Sequence, residues 1–538
     1  MDLRTATRFA TPAACAVLSI VGWALLALSQ YWLWLAVPAT ILTGVGIRDL
    51  VQRRHAILRN YPILGHLRFL LEYIRPEIRQ YFIESDTEAT PFSRNQRSIV
   101  YQRAKAELDK RPYGTQEDLY ARGVEWINHS VVPAPLQPHD FRVTVGGAQC
   151  TRPYSASLFN ISAMSFGALS ANAIRALNLG AKKGRFAHDT GEGSISVYHR
   201  EFGGDLIWEI GSGYFGCRDA TGRFDPARFA EQSAHDQVRM IEIKLSQGAK
   251  PGHGGVLPGA KVTAEIANAR GVPVGMDCIS PARHAEFSNP TGLLEYVARL
   301  RELSGGKPTG FKICIGHPWE FFAIAKAMLA TDILPDFIVV DGAEGGTGAA
   351  PVEFTDHVGI PLRDGLRLVH NTLVGAGLRD RIRLGASGKI ITAFDIVRNV
   401  AIGADWCNSA RGFMFALGCI QAQKCHTGRC PTGVATQDEY RQRALVVDDK
   451  AQRVFRFHEN TLRALAELVA AAGLTHPEEL DAHHVVQRVD SSDVRLLSTV
   501  LPTLQPGELL AGGQPRQERA VFDRWWSKTG PDSFALPA

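Results

Sequence analysis

Three cysteines stand within twelve residues of "GCIQAQKCHTGRCPTGVATQD" (418–438): Cys419, Cys425 and Cys430, spaced C-x5-C-x4-C with a proline after the last. Thiolates on a glycine-interrupted loop that ends in Cys-Pro suit an iron–sulfur cluster, and three without a fourth nearby suit a three-iron one. Zinc prefers C-x2-C pairs and a fourth ligand; His426 is at hand, but its spacing is wrong. A disulfide framework sits poorly with six further cysteines scattered singly, Cys15, Cys150, Cys217, Cys278, Cys314 and Cys407, and with a chain that faces a reducing cytoplasm. Those six read as small buried residues.

Glycine-rich turns carry a second kind of chemistry. "GASGK" (385–389) and "ARGFMFALG" (410–418) each follow a short apolar run, and "DGAEGGTGAAP" (341–351) follows another. Glycine lets backbone amides approach a phosphate closely, and Arg411 adds positive charge. The candidates for phosphate contact in these turns are Gly346, Thr347, Gly385, Ser387, Gly388, Arg411 and Gly412. Any one turn alone is an ordinary loop.

The elements that must position these groups are strands. "FNISAMSFG" (159–167), "RFAHDTG" (185–191), "DLIWEIGSG" (205–213), "MIEIKLS" (240–246), "GFKICIG" (310–316), "DFIVVDG" (336–342), "RIRLGAS" (381–387) and "ADWCNSAR" (404–411) are short apolar runs ending in small or polar residues. Helical stretches separate them, so the pattern predicts a parallel sheet, and eight strands predict a closed (β/α)8 TIM-type barrel. Its chemistry belongs at the strand C-terminal ends, and phosphate belongs after the seventh and eighth strands. "VPVGMDCIS" (272–280) reads as a loop. An open doubly wound sheet is the rival, but no G-x-G-x-x-G follows the first strand.

The first fifty residues differ. From Phe9 to Ile47 no residue is charged, which is too long for one span of about 20 residues and breaks at Ser29-Gln30. Helices over about 11–28 and 31–47 are expected to form a transmembrane hairpin, with a buried soluble hairpin as the alternative. Arg4 and Arg8 precede it and Arg48, Arg53 and Arg54 follow, so both ends and the catalytic domain face the cytoplasm. A cleaved signal peptide would have a single shorter apolar core. Residues 51–150 read as a helical linker and lead-in, with Leu67, Leu70, Leu71 and Ile74 at helical spacing before Pro76. Residues 151–440 make the barrel, and 441–538 a helical extension. The formal charge of +5 over 538 residues, with no dense Lys/Arg run, argues against a nucleic-acid partner.

Several stretches together resemble the FMN- and iron–sulfur-binding synthase domain of glutamate synthases. They are "SAMSFGALS" (162–170), "TGEGS" (190–194), "IKLSQGAKPGHGGVLPG" (243–259), "DCISPARH" (277–284), "DGAEGGTGAAP", "LVGAGLRDRIRL" (373–384) and the cysteine block. The resemblance implies FMN at the strand C-terminal ends and a [3Fe-4S] cluster on Cys419, Cys425 and Cys430. It implies that the backbone of Met164, Ser165 and Gly167 lies against the flavin ring. Lys312 of "FKICIG" is then assigned to the flavin's N1/C2 edge, with a salt-bridged core lysine as the alternative. It also implies a 2-oxo or 2-imino acid substrate held by Lys250, Glu192 and Arg270, with Lys244 and Gln247 on the strand end just before.

Departures from the family pattern are equally informative. Position 2 is Asp and Cys15 lies in the apolar stretch, so the glutaminase domain of full glutamate synthases is not expected here. Where that family usually reads "KPGEGGQLPG", this chain has His253 and Val256, and loss of the glutamine puts 2-oxoglutarate itself in doubt. Two function classes follow. One is an enzyme reducing an imino acid to an amino acid such as L-glutamate, with amine from solution or from a separate amidotransferase-like partner, as in N-methylglutamate synthase-like complexes. The other is a membrane-tethered FMN/iron–sulfur electron relay. Without an NAD(P) fingerprint, an external electron-donor protein is expected.

Overall fold

The computed structural model describes residues 3–88, 90–512 and 519–536; Asp2 lies outside them. The chain divides into two compact units, residues 1–94 and 95–538.

In the first unit, α1 (Leu3–Leu25) and α2 (Leu33–Val51) form an antiparallel hairpin. Ser29 caps the turn between them by accepting from the Tyr31 amide. A Cβ at Gly22 would come within 2.8 Å of the Ala36 backbone, so the helices pack closely there. Thr40 Oγ1 joins them through Ser19 at 2.7 Å and Trp23 Nε1 at 2.9 Å. Both helices are long and apolar enough to cross a membrane, and they turn large apolar side chains outward, with Ile20 69% and Trp34 83% exposed. A further helix, Gly65–Ile78, runs through Pro76 instead of stopping at it.

The second unit contains a closed parallel barrel of eight strands. They are β1 (Phe159–Ile161), β2 (His188–Asp189), β3 (Leu206–Ile210), β4 (Val238–Lys244), β5 (Thr309–Ile313), β6 (Phe337–Asp341), β7 (Arg383–Ser387) and β8 (Trp406–Ser409). Each overlaps one of the eight stretches expected from the sequence, with β4 starting two residues and β5 one residue before its stretch. β8 pairs with β1 through Asn408 and Asn160, closing the ring. β1 and β2 are shorter than expected because their chains leave the ladder early to form loops at the barrel mouth.

The opposite end is plugged. A hairpin of Arg142–Val145 and Tyr154–Ser157 sends Val143, Val145, Tyr154 and Ala156 against Ala187, Ile207, Met240, Phe337, Val339 and Trp406. Burying each large side chain contributes about 1.5–3 kcal/mol, so this floor is a stable apolar layer. Chemistry is therefore confined to the C-terminal mouth.

Outside the barrel, α3 (Ala171–Gly184) follows β1, α4 (Arg411–Leu417) follows β8, and α5 (Val447–Ala471) packs on α3. Gly180 makes that packing possible, since a Cβ there would meet Val454 at 2.5 Å. The tail is not helical alone. Its strand Val485–Arg488 pairs with Val494–Leu496 and with Glu125–Ile127 of the lead-in segment. Glu125 receives Arg363 and, at 3.4 Å, Arg398 from the barrel's outer helices. The 272–280 stretch stays out of the barrel, although Cys278–Ile279 forms a two-residue ribbon with Val256–Leu257.

A charged site at the barrel mouth

Four charged side chains gather at the C-terminal ends of the early strands. Lys244 ends β4, and its Nζ lies 3.0 Å from Glu192 Oε2 in the loop after β2. Lys250 is buried near them and gives a hydrogen bond of 3.2 Å to the Gly254 carbonyl. Arg270 is also buried; it donates to the Phe166 carbonyl at 3.1 Å and reaches Cys278 Sγ at 3.5 Å. Its Nε has no acceptor, so the guanidinium retains a donor. Burial raises the Glu192 carboxyl, but Lys244, Arg270 and Lys250 more than offset this and hold it below its ordinary value. Burial is also the main reason Lys250 is lowered, with Glu192 opposing.

Glycines let these loops meet. Gly191, at φ 63°, approaches Ser165 so closely that a Cβ would stand 2.7 Å from its amide nitrogen. Gly255 passes the carboxylate so that a Cβ would lie 2.6 Å from Glu192 Oε1. Ser165 Oγ accepts from the Gly193 amide at 3.2 Å. Met164, Ser165 and Gly167 are thus joined to Glu192 and Arg270 in one wall. Gln247 opens the turn in which the Lys250 amide bonds back to its carbonyl at 3.3 Å.

The later strand ends make a polar cradle. Ser162 Oγ and Ser387 Oγ lie 3.2 Å apart, one at the end of β1 and one on β7. The buried Ser409 hydroxyl at the end of β8 has no partner, a donor waiting for an acceptor. Gly388 adjoins the Gly342 amide, and a Cβ at Gly346 would face Arg411 Nη2 at 3.8 Å. The loops after β6, β7 and β8, carrying Gly346, Thr347, Gly388, Arg411 and Gly412, therefore converge. Open backbone, an orphaned hydroxyl and an arginine fit the phosphate end of a flavin nucleotide.

Two assignments change. Lys312 stands level with Lys244 on the neighbouring strand, but its ammonium turns into the barrel, held by Glu209 and 3.6 Å from Glu242. These ion pairs match the salt-bridged lysine that was the alternative to a flavin edge. Gly385 sits mid-strand, where a Cβ would strike the Trp406 ring at 2.7 Å; it makes room for the floor.

The cysteine loop adjoins the first wall. Gln437 Nε2 donates to the Gly167 and Leu169 carbonyls, both at 3.0 Å, and Ser170 donates its amide to Val434. Cys419 and Cys430 are buried and Cys425 is half-buried; all nine cysteines of the chain are free thiols. Burial raises Cys430, but the Thr432 hydroxyl and the amides of Ala435, Thr432 and Val434 outweigh it, leaving the thiol lowered. Burial raises Cys419, opposed by Arg411. Such a nest of donors suits thiolate ligands. Among the described residues the three sulfurs do not converge as ligands of a single ion do.

Sequence reasoning missed Ser409 and His284. His284 is buried, drawn down to about 4 by desolvation, and neutral; it bonds the Lys244 carbonyl at 2.9 Å and the Tyr214 hydroxyl at 3.2 Å. It steadies the strand end that carries Lys244. Its place in "DCISPARH" was the available signal.

Residues 126–475 match the description "Conserved region in glutamate synthase". The chain is 37% identical over 501 residues to the glutamate synthase large subunit-like protein YerD of Bacillus subtilis (strain 168), covering 86% of this chain and 95% of that one. The chain belongs to the glutamate synthase family. This family member is also 38% identical over 321 residues to the archaeal glutamate synthase [NADPH] of Methanocaldococcus jannaschii, matching 60% of each chain. A flavocytochrome b2 mutant with pyruvate bound aligns with it at TM-score 0.42 and 11% identity over 89% of this chain and 94% of that one, too loosely to add to the argument. Membership makes the chain an oxidoreductase.

Proposed function

We propose that this chain reduces a 2-imino acid, formed from a 2-oxo acid and ammonia or a related amine, to the amino acid. The observation that carries the reading is the Glu192–Lys244–Lys250–Arg270 cluster at the barrel mouth. The cradle would hold FMN, which would supply an electron pair, and Cys419, Cys425 and Cys430 would hold a [3Fe-4S] cluster, which would supply electrons singly. Family membership supports the flavin, and the thiol nest beside Gly167 supports the cluster.

The protein's own groups then have definite work. Lys250 and the free donor of Arg270 bind the substrate carboxylates, which need fixed cations. Lys244 keeps Glu192 ionised so that it accepts hydrogen bonds from the substrate nitrogen and orients it. Glycine-lined walls exclude water, which strengthens each of these contacts. Met164 and Ser165 present backbone to the flavin ring, and Ser387, Ser409, Thr347 and Arg411 meet its phosphate side. The overall change consumes two electrons and two protons for each C=N reduced to CH–NH.

The exposed apolar faces of α1 and α2 support a membrane anchor, with the barrel on the cytoplasmic side. The amine comes from solution or from an amidotransferase-like partner, and electrons come from a donor protein. Val256 and that anchor favour a second reading, an electron-transfer subunit without its own small substrate. The experiment is anaerobic reduction followed by mixing with a panel of 2-oxo acids plus ammonia. Flavin reoxidation by at least one acid is expected; reoxidation by none, while a protein acceptor succeeds, selects the relay.

A further inference from the structure

Five charged side chains from five successive strands meet inside the barrel: Asp189 of β2, Glu209 of β3, Glu242 of β4, Lys312 of β5 and Asp341 of β6. Asp189, Glu209 and Glu242 each bring a carboxylate oxygen within 4.8 Å of the other two. Glu209 holds the Lys312 ammonium, and Glu242 stands 3.6 Å from it. Asp341 accepts from the Gly248 amide at 2.8 Å and is bonded by Ser387 of β7. Four carboxylates thus face one ammonium; Asp189, Glu209, Glu242 and Lys312 have almost no access to water, and Asp341 at its strand end is half-buried.

That count cannot stand with every carboxylate ionised. Buried charges require partners, and a carboxyl group without one neutralises by taking up a proton. Glu242 shows where. Neither of its oxygens meets a hydrogen-bond donor, although a carboxylate oxygen of Asp189 stands within 4.8 Å of one of them. Two carboxylates are acceptors only, and a proton on one of them converts the contact into a bond. A metal ion is the rival occupant of three converging carboxylates, but Lys312 already brings the cation to them.

We propose that this ring holds at least one proton at neutral pH, shared by Glu242 and Asp189, and forms a proton store in the barrel interior beneath the charged site. The electrostatics agree. Burial and then the Asp189 charge push Glu242 well above the ordinary carboxylate range. Burial and Glu209 push Asp189 up to about 7, and burial raises Asp341 despite Lys312. Burial lowers Lys312, but the four carboxylates more than offset it, so it stays charged. The use of the store rests on the imine-reducing reading: that reaction consumes protons, and Asp189 stands three residues before Glu192.

The test is infrared spectroscopy of the full-length protein at pH 8, where ordinary carboxyl groups are ionised. A carboxylic-acid carbonyl band is expected in wild type, lost in Glu242→Gln and shifted in Asp189→Asn. Glutamine copies a protonated carboxyl, so Glu242→Gln is expected to melt at or above the wild-type temperature. Glu209→Gln strips Lys312 of its nearest partner and is expected to melt lower or fail to fold. Three results overturn the proposal: no such band in wild type, a band untouched by both Glu242→Gln and Asp189→Asn, or stoichiometric metal lost in Glu242→Gln. None of these readouts is an activity, so failure here is distinguishable from failure of the imine-reducing reading.

Discussion

Lys244 Nζ stands 3.0 Å from Glu192 Oε2, and neither side chain is much exposed. The pair joins the end of β4 to the loop after β2 and keeps an anion beside Lys250 and Arg270, the cations proposed to bind substrate. Removing Lys244 leaves Glu192 with those two alone, which are then expected to be drawn away from that task. Lys244→Met is expected to weaken oxo-acid binding and slow turnover together, by about ten- to a hundred-fold if one charge-assisted bond of about 1.5–3 kcal/mol is lost. Titration of flavin absorbance with an unreactive oxo acid checks the binding part.

The same cluster sets a pH dependence. Glu192 is held below its ordinary value, so its ion pairing contributes stability above the unfolded carboxylate value and loses it as pH falls through the lower folded value. Lys250 is lowered, so it loses its charge earlier on the alkaline side than a free lysine. Oxo-acid affinity is expected to fall as pH rises toward the ordinary lysine value, and Lys250→Arg is expected to push that fall to higher pH. An unchanged alkaline limb in Lys250→Arg removes Lys250 from the site.

Lys312 offers a stability test. A buried ammonium paired with Glu209 and Glu242 is costly to delete, because carboxylates are left without a counter-ion. Lys312→Met is expected to destabilise the protein by about 3–5 kcal/mol, read as a lower denaturant midpoint. A flavin-edge lysine would instead change the flavin's reduction potential with little loss of stability.

The barrel was legible because buried parallel strands leave apolar runs with small or polar ends, and eight such runs have few other ways to fold. The cysteine spacing predicted a cluster loop, but among the described residues the three sulfurs do not converge as ligands of one ion do. Lys312 and Gly385 were not, for one reason. A strand residue's place along the barrel axis depends on where its neighbours stand, and β5 and β7 look alike whether such a residue lies at the mouth or below it. The Glu209–Glu242–Lys312 contact is three strands wide and has no local signature. The short strands of the tail were hidden too, since Val485–Arg488 is a strand only through Glu125–Ile127, far away in sequence.

Cys425 is the least buried thiol of the three, on a one-turn helix that Lys261 braces by donating to the Cys425 and His426 carbonyls at 3.4 and 2.9 Å. Cys425→Ser is expected to lose iron and the electron paramagnetic resonance signal of an oxidised three-iron cluster while the barrel folds. Iron at the wild-type level in the variant, or zinc in its place in the wild type, contradicts the ligand set.

The unit boundary suggests where to cut. α2 and the helix Gly65–Ile78 are tied by Asp49, which contacts His66 Nε2 at 2.9 Å and the Ile63 amide at 3.0 Å. Deleting residues 1–50 strands those partners, whereas deleting 1–94 removes one compact unit and leaves the other. The shorter product is expected in the soluble fraction with FMN bound. Recovery of the 1–94 deletion in membranes points to a second anchor in the barrel unit.

Val256 is 49% exposed, on the ribbon that pairs it with Ile279, and the preceding Gly255 skirts the Glu192 carboxylate. An apolar branched side chain therefore stands beside the charged cluster where related chains usually carry glutamine. His253, also exposed, turns its Nδ1 to the Gly254 carbonyl at 2.7 Å and its ring to Phe354, so it does not replace the missing amide. Binding of oxo acids as a class is expected to survive through Lys250 and Arg270, with one hydrogen bond to the substrate fewer than a glutamine at 256 would supply. Such a bond is worth about 1.5–3 kcal/mol, or about ten- to a hundred-fold in affinity. Flavin reoxidation by 2-oxoglutarate plus ammonia is expected to be slow in wild type, faster in Val256→Gln, and slower than with an oxo acid of different length. Rapid wild-type turnover that Val256→Gln leaves unchanged or slows assigns substrate selection to other residues.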